Sequence, residues 1–368
     1  METGRIFVKG NEAVSMGAID AGLKGYFGYP ITPQSEIPEY MSLHLPAAGG
    51  AFVQAESELA AANMVLGAAA SGLRAMTSSS SPGISLMQEA ISYMAGSEIP
   101  CVIVNMVRGG PGLGDINSSQ GDYFQCTRGG GHGDYRTPCL APSTCQEAYD
   151  MTREAFDWAF KYRTPVLVAG DGLLGQIKEP LARRAPHKPA PDEGGSWRLD
   201  GANGRPRRIL RSLYLEEGEL AALNLRLYAR YEAMRPLARA EEFLTEDADM
   251  VVVAFGSIGR IVKSAIRKLR AKGQKIGLVR PLTLFPFPEA VLRNLAQQGK
   301  RFLTIEHNLG QMVDDVRLAV RGIADSGFYG VLSGVIPTPD EFEEVMERAA
   351  SDPSAFFALS ASSDGGPL

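Results

Sequence analysis

No run of about eighteen apolar residues occurs in the sequence, so no segment reads as a membrane span. Nothing near Met1 joins a basic start to an apolar stretch in the manner of a signal peptide. The four cysteines, Cys101, Cys126, Cys139 and Cys145, include no C-x-x-C pair, which argues against a self-contained zinc or iron–sulfur site. Positive charge is not in excess either. Lys and Arg total 37 against 42 Asp and Glu, for a net charge of -5, so nucleic acid and anionic membrane are poor electrostatic partners. These absences predict a soluble, cytoplasmic protein with reduced thiols.

What is present is length and glycine. The 368 residues, 45% of them hydrophobic, are enough for two or three domains with a buried core that needs neither disulfide nor metal. Glycine contributes 41 residues, about 11% against a usual value of about 7%, and much of it lies between Gly109 and Gly133. That backbone turns often, or something approaches it closely.

Up to about Gln176, short apolar runs alternate with longer helix-forming segments, which predicts an α/β fold with parallel strands and crossover helices. Strands are expected at 51–54, 75–78, 102–107 and 166–169, and helices at 12–23, 57–71, 83–95 and 144–162. Pro, Gly and charge dominate 179–208, which predicts a linker or surface excursion. Leu220, Leu223, Leu227, Tyr231 and Met234 then share one face of a helix that Pro236 bends or ends. A second alternating block follows, with strands at 250–255, 275–279, 302–305 and 329–332 and an amphipathic helix through Ile258, Val262, Ala265, Ile266 and Leu269. The domains expected are therefore 1–178, a linker and helical arm at 179–246, a smaller doubly wound domain at 247–350, and a loose tail at 351–368.

Several segments could carry chemistry. In GYPITPQSE, Pro30 and Pro33 bracket Ile31 and Thr32 in a stiff turn whose hydroxyl could orient a ligand, although alone the segment fits a plain proline-rich turn. In VQAESELAAANMVLGAAASG, Glu56 and Glu58 stand two apart before a helix of small residues, so only one can face a given site; both could equally serve the helix dipole. In VIVNMVRGGPGLGD an apolar strand delivers Arg108 into a Gly-rich loop, which suits an anionic substrate or, equally, a surface turn. GGPGLG is not a dinucleotide fingerprint, because Pro111 interrupts it. Gly170, Asp171 and Gly172 are similar to the GDG of the Mg-diphosphate motif of thiamine diphosphate enzymes, with Asn203 at about the right distance. Asn203, however, lies in the hydrophilic DGANGRP with no strand to deliver it, so no metal is assigned there. His132, in GGGHGDY, has no second ligand at suitable spacing and reads as a loop residue.

Taken together, GNEAVSMGAIDAGLKGYFGYPITP, ESELAAANMVLGAAASG, TSSSSPG, VRGGPGLGDINSSQGDYFQ, GGGHGDYR, RPLTLFPFP and IEHNLGQM resemble the 2-oxoacid:ferredoxin oxidoreductases, in the subunit that carries the pyrimidine-binding domain. GGPGLGD and SSQGDY are most similar to the branched-chain type, which acts on 3-methyl-2-oxobutanoate; the 2-oxoglutarate type is next. The resemblance implies a thiamine diphosphate-binding fold followed by a transketolase C-terminal-like domain, with RPLTLFPFP a structural and assembly segment. It implies a cofactor site shared between subunits: this chain supports the aminopyrimidine, while a partner binds diphosphate and Mg. Cluster-bearing parts are expected on separate gamma-type and ferredoxin-like polypeptides.

Family members place a glutamate nine residues before a glycine; Glu58 stands nine before Gly67 and Glu56 eleven, so Glu58 is expected to share a proton with the aminopyrimidine. By the same resemblance Pro30 and Thr32 meet the cofactor, Thr32 and Arg108 meet the substrate carboxylate or carbonyl, and Asp122 belongs to the loop that closes over the substrate. The reaction implied is decarboxylation, oxidation by iron–sulfur clusters of partner subunits, acyl transfer to coenzyme A and delivery of electrons to ferredoxin. A 2-oxoglutarate enzyme would need a cation for the distal carboxylate, for which Arg128 and Arg136 are available. A non-catalytic buttressing subunit is the remaining alternative.

Overall fold

The computed structural model describes residues 4–187, 195–353 and 356–360. The chain forms two compact units. The first comprises Met1–Met106, Gln125–Gly170 and Leu174–Met234; the second comprises Val107–Phe124, Asp171–Leu173 and Arg235–Leu368. The loop after the Val107 strand end and the short Asp171 segment thus belong with the second unit although they interrupt the first in sequence.

The first half of the chain alternates β1 (Ile6–Lys9), α1 (Gly10–Asp20), β2 (Gly25–Gly28), α2 (Glu36–His44), β3 (Ala51–Gln54), α3 (Glu58–Ala70), β4 (Ala75–Ser79) and α4 (Ser81–Gly96). It continues through β5 (Cys101–Val107), α5 (Tyr123–Arg128), β6 (Cys139–Leu140), α6 (Cys145–Tyr162), β7 (Pro165–Asp171), α7 (Gly172–Gln176), β8 (Lys178–Leu181) and α8 (Glu219–Met234). Strands run in the order β6-β7-β5-β4-β2-β3, and the β2-β3, β2-β4, β4-β5 and β6-β7 pairs are parallel. Every residue of β4, β5 and β7 is buried, as a parallel sheet covered on both faces requires. Helix starts follow local chemistry: the Ser57 hydroxyl accepts from the Ala60 N–H at 3.1 Å ahead of α3, and the Thr144 hydroxyl accepts from Glu147 at 3.1 Å ahead of α6.

The second unit adds β9 (Ala240–Phe243), β10 (Met250–Val253), α9 (Gly256–Ala271), β11 (Ile276–Pro281), β12 (Thr283–Phe285), α10 (Glu289–Gln297), β13 (Arg301–Glu306), α11 (Met312–Val320), β14 (Ser326–Val331), α12 (Pro339–Ala349) and β15 (Phe357–Ser360). Its sheet order is β15-β14-β13-β10-β11-β9, parallel except for β9. Ile258, Val262, Ile266 and Leu269 of α9 and Phe342 and Met346 of α12 pack on Val252, Leu278 and Ile305 of the strands. The helical spacing read from the sequence is the buried stripe of α9.

The structure differs from the sequence reading at four places. Lys178–Leu181 is a strand antiparallel to β1, not open linker; Leu181 is fully buried there, a single apolar residue that composition averaged over a window conceals. Farther along the expected linker, Trp197 is buried against Phe160 and under the Arg163 guanidinium, while 188–194 fall outside the described residues. The expected loose tail contributes β15, paired with β14 from Phe357 to Ser360; 361–368 lie outside the described residues. In α8, Leu223, Leu227, Tyr231 and Met234 are buried as expected, but Leu220 in the first turn is half exposed.

Ile266 is wholly buried beneath α9. Ile266→Ala should lower the stability of the second unit by about 2–5 kcal/mol, read as an earlier midpoint in urea unfolding of the full chain.

Candidate active site

The turn after β2 is held by side chains from several elements of the first unit. Asn11 donates to the Pro33 carbonyl at 2.8 Å and to Glu36 at 2.7 Å, Lys9 Nζ pairs with Glu36 at 2.6 Å, and Gln176 donates to Glu36 at 3.0 Å. Gln34 is buried and accepts from Ser78 Oγ at 2.5 Å, while the Tyr26 hydroxyl shares a bond with the same oxygen at 2.7 Å. Pro30 and Thr32 are left exposed on this braced turn, and the Thr32–Pro33 peptide is cis. Burial alone would raise the Glu36 pKa, but the bonds from Lys9, Asn11 and Gln176 prevail and hold it below the ordinary glutamate value.

The two glutamates after β3 separate as their spacing demanded. Glu56 is exposed and precedes the Ser57 cap, whereas Glu58 is the first residue of α3 and only 7% exposed. No hydrogen bond or ion pair reaches the Glu58 carboxylate among the described residues. Its neighbour is Gly83 in α4, where a Cβ would run into Ser79 Oγ and stand 2.7 Å from Glu58 Oε1, so only glycine leaves the carboxylate and the hydroxyl side by side. The Oγ atoms of Ser79 and Ser80 and Oγ1 of Thr77 are themselves buried without a hydrogen-bond partner. A buried carboxylate beside unsatisfied hydroxyls is expensive unless a polar ligand completes it. The donor and acceptor set fits a heteroaromatic ring with exchangeable protons, such as an aminopyrimidine.

Arg108 directly follows β5, in the second unit, and is 8% exposed. An antiparallel bridge joins it to Ser118, its Nη2 donates to the Leu113 carbonyl at 3.1 Å, and the Gly109 N–H donates to Asn117 at 3.0 Å. Gly114 sits at φ 56°, and a Cβ there would collide with the Gly109 carbonyl oxygen, so the glycine excess builds a tight hairpin-like loop. Asp122 lies half-buried just ahead of α5. Arg128, Arg136 and His132 are exposed members of the first unit; the His132 carbonyl accepts from Ser92 Oγ at 2.8 Å.

The GDG segment has a structural use. Asp171 is buried and accepts from Ser257 Oγ at 2.7 Å and from its N–H at 3.3 Å, at the start of α9. Asn203 lies in an exposed turn. Among the described residues, no group of three or more His, Cys, Asp and Glu side chains could hold a metal ion, and no helix is long and apolar enough to cross a membrane. The sequence reading gave TSSSSPG no site role; Ser79, which ends β4 and lies beside Glu58, comes from that run.

A family model described as pyruvate flavodoxin/ferredoxin oxidoreductase, thiamine diphosphate-binding, matches residues 16–188, and one described as pyruvate:ferredoxin oxidoreductase core domain II matches 248–342. The ketoisovalerate oxidoreductase subunit VorB of Methanothermobacter thermautotrophicus is 49% identical over 349 residues, covering 93% of this chain and 97% of that protein. The chain belongs to the 2-oxoacid:ferredoxin oxidoreductase family. The 2-oxoglutarate synthase subunit KorA of the same organism is 38% identical over 366 residues, with 92% and 97% covered. In structure, this oxidoreductase subunit is similar to the 2-oxoglutarate:ferredoxin oxidoreductase from Magnetococcus marinus with 2-oxoglutarate, coenzyme A and succinyl-CoA bound: TM-score 0.85, 28% identity, 94% of this chain and 65% of that one. A split gene transketolase, an inactive beta4 tetramer, shares the fold at TM-score 0.59 and 14% identity, with 94% of this chain and 99% of that one covered.

The depressed Glu36 pKa gives the braced turn a pH signature. A carboxylate whose folded pKa lies below its unfolded value stabilises the fold above the unfolded value, and that contribution is lost as pH falls through the folded one. Glu36→Gln should therefore be less stable than the parent at neutral pH, and thermal unfolding should show the two converging as pH falls below about 4.

Proposed function

We propose that this chain is the pyrimidine-side catalytic subunit of a branched-chain 2-oxoacid:ferredoxin oxidoreductase, converting 3-methyl-2-oxobutanoate and coenzyme A to an acyl-CoA and CO2 with reduction of ferredoxin. The observation that carries the catalytic part is the buried Glu58 carboxylate, unpaired among the described residues, beside Ser79 Oγ, which is itself buried without a partner. Thiamine diphosphate, when bound, supplies the nucleophilic carbon and the electron sink for decarboxylation. Glu58 holds or releases a proton at the aminopyrimidine ring nitrogen, in a place where little water competes for it. Pro30 and Thr32 present an exposed, rigid edge toward cofactor and substrate, Arg108 pairs with the 2-oxoacid carboxylate, and Asp122 belongs to the segment that closes over the substrate.

The branched-chain assignment is supported by the 49% identity to a ketoisovalerate oxidoreductase subunit against 38% to a 2-oxoglutarate synthase subunit. The bound 2-oxoglutarate of the Magnetococcus marinus structure supports the other substrate. Steady-state kinetics of the assembled complex decide between them: kcat/KM should favour 3-methyl-2-oxobutanoate over 2-oxoglutarate. Mg and the iron–sulfur clusters are assigned to partner subunits. The four cysteines are buried and form no disulfide, which fits a reducing, cytoplasmic compartment.

Glu58→Gln in the assembled complex should lower turnover by about 100-fold or more while thermal unfolding of the chain is not impaired. Near-normal turnover with thiamine bound would remove Glu58 from this role.

Gly67 supports a partner on α3. It is exposed in mid-helix with no atom within 4 Å of where a Cβ would stand, although glycine there costs about 0.5–1 kcal/mol relative to alanine. Gly67→Leu should leave the isolated chain as stable or more so and weaken its association with the diphosphate-binding subunit, measured by size-exclusion chromatography of the reconstituted pair.

A further inference from the structure

The loop that begins at Arg108 ends at Gln120, which is 3% exposed and bonded on every side within the second unit. Its N–H donates to the His307 carbonyl at 2.9 Å, and its own carbonyl accepts from Asn308 Nδ2 at 2.9 Å. Its side-chain oxygen accepts from the His307 N–H at 3.1 Å, and its Nε2 donates to the Phe255 carbonyl at 2.9 Å. Asn308 Nδ2 also donates to Glu306 at 3.0 Å, and Glu306 accepts the N–H groups of Met312 and Val313 at 2.7 and 2.9 Å, tying the cluster to the start of α11. Ser119 adds a bond to the His307 carbonyl at 3.3 Å and one from Ser333 Oγ at 2.9 Å.

This end of the loop is not independent of the other. Arg108 and Ser118 form an antiparallel bridge and Gly109 bonds to Asn117, so the backbone that carries Arg108 is laid against the segment that Gln120 pins. IEHNLGQM, which the sequence offers only as a matching string, supplies the other half of the pin from the end of β13. We propose that Gln120 is a positioning residue for 2-oxoacid recognition: clamped by His307 and Asn308, it fixes the backbone from which Arg108 meets the substrate carboxylate. The proposal rests on the reading of Arg108 given above. A guanidinium–carboxylate contact is directional, so a displacement of about 1 Å in its mounting is enough to weaken it.

The test is a double-mutant cycle in the assembled complex with 3-methyl-2-oxobutanoate. Gln120→Ala should raise the KM for the 2-oxoacid by about tenfold to a hundredfold and leave the KM for coenzyme A unchanged. Arg108→Ala should raise the 2-oxoacid KM as well, and adding Gln120→Ala to it should cost nothing further in kcat/KM, because the two act through one contact. If Arg108→Ala raises the KM and Gln120→Ala does not, or if the two effects multiply, Gln120 has no positioning role. If Arg108→Ala itself leaves the KM unchanged, the assignment of Arg108 falls and this proposal with it. Ser119→Ala, which removes one hydroxyl from the same clamp, should shift the KM in the same direction by less; should Gln120→Ala not fold, an unchanged KM in Ser119→Ala overturns the proposal.

Discussion

The parallel hydrogen-bond ladder of β2, β3, β4 and β5 governs where chemistry can stand in this chain. β4 and β5 are buried on both faces, which favours reactive groups in the segments that leave the carboxyl ends of the strands. Thr32 follows β2, Glu58 follows β3, Ser79 and Ser80 stand at the end of β4, and Arg108 follows β5. Because the β2-β3 and β2-β4 pairs are parallel, Thr32, Glu58 and Ser80 each lie beyond the carboxyl end of its strand. In β4 and β5 the polar residues begin inside the ladder, where Thr77, Ser78 and Ser79 stand opposite Ile103, Val104 and Asn105.

Buried carboxylates elsewhere in the chain show what makes Glu58 different. Glu306 is wholly buried, and burial pushes its pKa up, yet it accepts N–H groups from the first turn of α11. Asp171 takes both donors of Ser257, and Asp20 is paired with Arg183 at 2.6 Å and bonded by the Tyr149 hydroxyl at 2.7 Å. Glu36 has three donors around it. These four acids are satisfied by their own chain, as the cost of an unpaired buried charge requires. Glu58 and the hydroxyls near it are the departure, and local rules fail by expectation where a ligand completes the set.

Much of this was legible from residue order. The apolar runs of β3, β4, β5 and β7 and the 3.6-residue stripe of α9 are period signals that survive any tertiary context, and each element formed within a few residues of its expected place. Spacing allowed only one of Glu56 and Glu58 to face a given site, and the family resemblance picked Glu58; the Ser57 cap leaves Glu56 outside α3 and makes Glu58 its first residue. What was not legible depends on pairing across the chain. Leu181 is one apolar residue in a polar stretch, and only its register against Ile6 makes a strand of it. The GDG at Asp171 could be set aside as a metal motif from sequence, for want of a strand at Asn203, but its use could not be read: Ser257, far along the chain, donates to that carboxylate at the start of α9. Gln120 carries no periodic signal at all; its meaning lies in Asn308 and His307.

The glycine excess ties these strands of reasoning together. Glycine between Gly109 and Gly114 removes the side chains that would keep the loop open, so the chain doubles back until Arg108 and Ser118 pair. A loop made this way has few apolar contacts of its own: Leu113 and Ile116 are exposed, at 81% and 61%. Its order therefore comes from polar bonds, some within the loop and, at its base, others from the segment after β13 in the second unit. The later block of the sequence thereby acquires a task beyond packing. By holding the base of this glycine loop, it makes the direction of one arginine a property of residues nearly two hundred positions away in the chain, as the Gln120–Asn308 bond records.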